Sequence, residues 1–144
     1  AAIFARLSEA FPENENVLAA LASSRVLQGL PNEAIPLYRR AMKVNPAWPD
    51  VQARLAMLLA TSESRQPEDV REAVRLAEAA CIATKAQDAW HLHALAVAYA
   101  ADQRFLDAAD AGQRAAQLAK AAGNTALAQQ ALRHADTSRG RAGR

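Results

Sequence analysis

Phe4 is answered by Tyr38, Leu7 by Ala41 and the helix-ending Pro12 by Pro46, each thirty-four residues further on. A fixed period of this length, in a chain that otherwise reads as helix, restricts the fold more than any other feature. One helical hairpin cannot bury its own apolar face, so the unit must repeat and stack. Composition agrees: 51% of the 144 residues are apolar, alanine alone supplies about a quarter, and the few Gly and Pro residues fall between periodic segments. Such a bias favours helices in close contact over sheet. The expected fold is all-α, a solenoid of antiparallel helix hairpins.

The first complete unit runs from about Glu15 to Pro46. Leu18, Leu21, Ala22 and Arg25 share one face of its first helix, and Ala34, Tyr38 and Ala41 share one face of its second. Alanines at 22, 34 and 41 let two backbones approach, while Leu18, Leu21 and Tyr38 fill the space beside the crossing. This run resembles the tetratricopeptide repeat, whose first helix carries a large residue, Leu, a small residue and Tyr, and whose second carries Ala, an aromatic, Ala and a closing Pro. Arg25 departs from the pattern, standing where the family favours Tyr.

A further copy reads Leu92, Leu95, Ala96 and Tyr99, then Phe105, Ala108 and Ala115, with the same twelve-residue step from Ala96 to Ala108 as from Ala22 to Ala34. Its departures are Gln103, where Gly29 stands in the first copy, and Gly112 in the slot of Tyr38; the glycine implies a local gap or a close backbone contact. Between these copies lies Leu55, Ala56 and Leu59, then Ala73, Ala77 and Ala80. Here the small-to-small step is seventeen, which places five extra residues in Thr61 to Pro67. Pro67 is expected at the first position of a helix, with Glu68 and Asp69 in its first turn. The strings LAMLLATS and REAVRLAEAA resemble a tetratricopeptide subtype seen in bacterial proteins, where the inserted turn is a common variation.

The expected organisation is therefore a half repeat over 1–14, repeats over 15–48, 49–87 and 88–122, a capping helix over 123–137 and a flexible basic tail over 138–144. Gly123 and Asn124 mark the start of the cap. Asn32 is expected to cap the second helix of the first full repeat, which puts Pro36 near its first turn and predicts a late start or a mild bend. Because the echo begins in mid-unit, the expectation is a segment of a longer chain.

Charge and chemistry-bearing residues exclude several classes of function. Net charge is +2, but Arg133, Arg139, Arg141 and Arg144 against Asp136 put +3 into the last dozen residues and leave the remainder at −1. A neutral body without a basic stripe and stacking aromatics does not suit a nucleic acid. Cys81 is the one cysteine and lies in an apolar helical run, so it reads as a small buried hydrophobe. No apolar stretch reaches the length of a membrane span. His91 and His93 are two apart on a helix and point to different faces, so they do not chelate one ion together. Asp88 and His91 have helical spacing but read as a cap and its neighbour. No nucleophile-and-base motif and no phosphate-cradling glycine loop is present, so no catalytic residue, metal site or cofactor is expected.

What remains is surface. The resemblance implies a concave face formed by the first helix of each pair. On the third such helix the core takes Leu92, Leu95, Ala96 and Tyr99, which leaves Trp90, His93, Val97, Ala100 and Ala101 as a second stripe. By register the equivalent positions are Asn16, Ala19, Ser23 and Val26 on the first, and Asp50, Ala53, Met57, Ala60 and Thr61 on the second. This predicts an apolar groove with Trp90 and Met57 as anchors. Members of the family that clamp a terminal carboxylate use Lys, Asn and Arg; here Ala19, Ser23 and Ala94 stand in such slots and only Arg54 is basic nearby. The expected function is a protein-interaction or assembly module taking a helix or peptide. The alternatives are a non-catalytic C-terminal arm of a larger bacterial membrane protein or glycosyltransferase-type enzyme, and self-assembly into a larger complex. The sequence does not fix the compartment, cytoplasmic or periplasmic, and allows attachment to a membrane through a segment upstream of Ala1.

Overall fold

The computed structural model describes residues 14–143. The half repeat expected over 1–14, with Phe4, lies outside the described residues apart from Asn14. Seven helices follow among them: α1 (Glu15–Leu27), α2 (Pro31–Val44), α3 (Pro49–Thr61), α4 (Pro67–Ala83), α5 (Ala89–Ala101), α6 (Phe105–Ala121) and α7 (Thr125–Ala142). The stack of helix hairpins expected from the period is the fold the chain adopts, with α1 on α2, α3 on α4 and α5 on α6. The central helix α5 also packs on α3 and α4, and α7 closes against α6 and α5.

Local chemistry starts six of the seven described helices. Asn14 Oδ1 accepts from Val17 N at 3.0 Å, Asp88 Oδ1 from His91 N at 3.0 Å, and Asn124 Oδ1 from Leu127 N at 3.1 Å, each satisfying a backbone donor that the helix leaves open. Pro31, Pro49 and Pro67 occupy the first helical position, where their missing N–H costs nothing. Asp69 reaches back to Gln66 N at 2.9 Å to complete the entry into α4. At the entry to α2 the structure differs from expectation: Leu30 precedes the helix, Pro31 begins it, and Asn32 lies inside rather than capping. Pro36 therefore falls in the second turn, and the helix continues through it.

Four turns end their helices in the same way. Leu30 N bonds Arg25 O at 2.8 Å, Ala86 N bonds Cys81 O at 2.7 Å, Arg104 N bonds Tyr99 O at 2.8 Å, and Asn124 N bonds Ala119 O at 2.8 Å. Each is accompanied by a shorter-range bond from the preceding residue, the Schellman arrangement, which requires a left-handed residue after the cap. Gly29 and Gly123 supply it at φ 78°, but Gln103 does so at 61° and Lys85 and Ala86 at 55° and 56°. The α3–α4 connection has no such turn; Ser62 leaves α3 in an extended conformation, and Ser62 and Ser64 hydroxyls meet at 3.2 Å.

One apolar core runs through the stack, from Ala22 and Tyr38 through Leu55, Leu59, Ala77 and Leu92 to Ala115 and Ala131. Alanine sets its thickness. Gly112 is a close approach: a Cβ there would stand 3.1 Å from Ala135 Cβ and 3.2 Å from Ala131 O. The glycine in the slot of Tyr38 thus marks a backbone contact with α7 rather than a gap. Helix α7 continues to Ala142, where the sequence suggested a flexible tail from 138. Ser138 is 2% exposed, because Ala131, Ala135 and Ser138 form one buried stripe at helical spacing. No described helix is long and apolar enough to cross a membrane.

Candidate interaction groove

The inner faces of α1, α3 and α5 do not meet evenly. Helix α1 packs on α2 and leaves α3 nearly untouched, whereas α3 lies closely on α5. The close pair is sealed by alanines: Ala53, Ala80 and Ala94 are fully buried, with Met57 and Trp90 packed over them. The open pair leaves a recess of about 210 Å³, lined by Ser23, Val26 and Leu27 from α1, Tyr38 from α2, Arg54, Met57 and Leu58 from α3, and Trp90 from α5.

Ser23, Val26, Met57 and Trp90, four of the positions suggested by register, come together in this recess. The others do not. Asn16 is exposed in the first turn of α1, and Ala19 and Val97 are half-buried against the core. Ala53 is fully buried beneath Met57 and Trp90 rather than lining a surface. Asp50 is exposed, and its Oδ1 pairs with His91 Nε2 at 2.8 Å. His93 is only 3% exposed and meets the ring of His134 on α7 edge-on, with centroids 6.1 Å apart. The seventh helix covers the part of this α5 face that carries His93.

Sequence reasoning missed four contributors to the recess, Leu27, Tyr38, Arg54 and Leu58, as lining groups. Tyr38 has a dual role: its ring is buried in the core, while its hydroxyl meets Ser23 Oγ at 2.8 Å at the recess. Leu27 is 88% exposed at the last turn of α1 and Val26 39%, an unusual pair of uncovered aliphatics beside an apolar hollow. The Arg54 guanidinium carbon lies 5.7 Å from the centroid of the Trp90 ring, within cation–π range.

Burial displaces the pKa of several groups in the stack. Burial pushes the Cys81 thiol up to about 11, helped by the nearby Asp88 carboxylate, so it is held as the unreactive thiol. Burial and, secondarily, His134 lower His93 to about 4; burial and Arg141 also lower His134. Tyr99 is raised to about 12 by burial and by its hydrogen bond to Glu78 Oε2 at 2.9 Å. Asp50, Asp88 and His91 bring one ligand-type atom each within 4.8 Å of one another, and are the described residues best placed to share a cation. Their geometry also serves the fold, with Asp88 capping α5 and Asp50 bonded to His91 across the α3–α5 seam.

Stacked antiparallel hairpins with alanine-spaced crossings define a tetratricopeptide-type fold. No family model matches the sequence, and no curated protein matches it. Among solved structures the chain is similar to a crystal structure of MamA protein, with a TM-score of 0.69 and 15% identity over 94% of this chain and 78% of that one. A second crystal structure of MamA gives a TM-score of 0.61 and 15% identity over 97% of this chain and 86% of that one.

Proposed function

We propose that this chain is a protein-interaction module, and that it takes a helix or peptide segment into the recess between α1, α3 and α5. The observation that carries the reading is the combination of an apolar hollow with uncovered Leu27 and Val26 at its lip and Trp90 and Met57 in its wall. Trp is enriched at binding hot spots and Met at interfaces generally, and α1's separation from α3 gives an inserted side chain somewhere to go. The likeness to MamA supports a repeat scaffold suited to such a role.

Selection of a random displayed peptide library against the folded protein tests the reading. The selected pool should lose about tenfold or more in binding to Met57→Ala and to Leu27→Ser, the loss typical of a hot spot. Leu27 is exposed, so its substitution leaves the fold intact, and circular dichroism checks that helical content is unchanged. Pools that bind both variants as well as the unaltered protein defeat the proposal.

A further inference from the structure

The recess carries one charged side chain, and the residue best placed to neutralise it is engaged elsewhere. Asp50 stands four residues before Arg54 on α3, the spacing at which acidic and basic side chains on one helix face each other. Asp50 Oδ1 instead meets His91 Nε2 at 2.8 Å. His91 is 2% exposed and is held in place by Thr84 Oγ1, 3.3 Å from Nδ1, and by its own backbone N–H donated to Asp88. Arg54 forms no ion pair among the described residues. Its guanidinium lies over Trp90. A guanidinium held over a ring at this distance has N–H donors to offer a second partner, and the planar fork matches a carboxylate.

On the reading of the recess as a peptide groove, we infer that the segment it takes combines one bulky apolar side chain with an internal Asp or Glu. The apolar side chain enters the hollow; the carboxylate sits on Arg54. A volume of about 210 Å³ is room for one large side chain, being about seven times the ~30 Å³ share of a liquid water. A purely apolar segment would cover Arg54 without compensating its charge, and a basic one would add repulsion. The acid belongs within the segment rather than at a chain terminus, because Arg54 is the one cationic group lining the recess and no Lys, Asn and Arg set surrounds it.

The displayed library also tests this, with peptides amidated at the C-terminus for the binding measurements. The selected pool should be enriched in sequences pairing Leu, Phe, Met or Trp with Asp or Glu. A selected acidic peptide should bind about three- to fivefold less well to Arg54→Gln, the upper range of an exposed charge pair. Selection against Arg54→Glu should instead enrich Lys or Arg at the acidic position. The preference should fade between about 0.1 M and about 1 M salt as the charges are screened. A pool that depends on Met57 and Leu27 but shows no acidic preference, or one unaffected at Arg54, overturns the inference and leaves the groove standing. A pool independent of Met57 and Leu27 removes the groove itself, and this inference with it.

Discussion

Acidification should unlock the seam between α5 and α7 through His93. The ring is almost wholly buried, and Nδ1 of both His93 and His134 lacks a hydrogen-bond partner. Protonation would place a new donor and a charge where no acceptor is within reach. The neighbouring ionisable groups, His134 and beyond it Arg141, are cationic when charged and offer no compensation. Burial is the larger cause of the shift of His93 from 6.5 to about 4, with His134 second. Because the folded-state value is the depressed one, the stability tied to the neutral ring is fully present above about 6.5 and is lost as the pH falls towards 4. At about 1.36 kcal/mol per pH unit the loss amounts to about 3 kcal/mol. That is a substantial fraction of the ~5–15 kcal/mol that holds a domain together.

Urea unfolding measured across this range, on the unaltered chain and on His93→Leu, isolates the effect. Ionisable groups common to both proteins cancel in the difference. The stability of His93→Leu relative to the unaltered chain should improve by about 3 kcal/mol between neutral pH and pH 4, whatever its offset at neutral pH from the changed shape. Proton resonances of the His93 ring should titrate near 4, far below those of an exposed histidine. Parallel pH profiles for the two proteins, or a ring that titrates near 6.5, would refute the account of a histidine held neutral by burial.

Two backbone predictions follow from the glycines and the left-handed turns. Gly112→Ala and Gly140→Ala gain similar helix propensity, about 1 kcal/mol. The first should nonetheless destabilise by about 1 kcal/mol or more, because its new Cβ meets Ala135 and Ala131 at 3.1–3.2 Å, while the second meets nothing within 4 Å and should stabilise. Thermal unfolding of the pair should shift in opposite directions, and equal shifts would deny the close α6–α7 contact. Gln103→Gly should raise stability by about 0.5–1 kcal/mol, since Gln103 holds φ at 61° in the turn position that Gly29 and Gly123 occupy elsewhere. A loss of stability in that variant would mean that the left-handed turn carries no strain.

The parts of this fold legible in the sequence are those determined within a hairpin. Ala22, Ala34, Tyr38 and Ala41 recur at fixed steps because two consecutive helices must interlock, and Pro67 with Asp69 marks a helix start through bonds that span three residues. The turn at Gln103 is legible by its register with Gly29 although the usual glycine is missing, and the Schellman bonds form regardless. The groove was only partly legible for a different reason. The inner side of a first helix is surface or core according to how near the next first helix lies, and that spacing belongs to the superhelix rather than to any one helix's period. Where α3, α5 and α7 lie close together, Ala53 and His93 pass into the interior despite groove-facing register, and Asp50 is drawn to His91 forty-one positions away. Where α1 and α3 separate, Leu27, Leu58 and the hydroxyl of Tyr38 come to line a hollow that no single-helix pattern contains. Arg54 illustrates both effects. Its neighbour on the helix is taken by the close seam, while its own guanidinium is left at the open one, so the charge of the groove is set by contacts between repeats and not by the repeat itself.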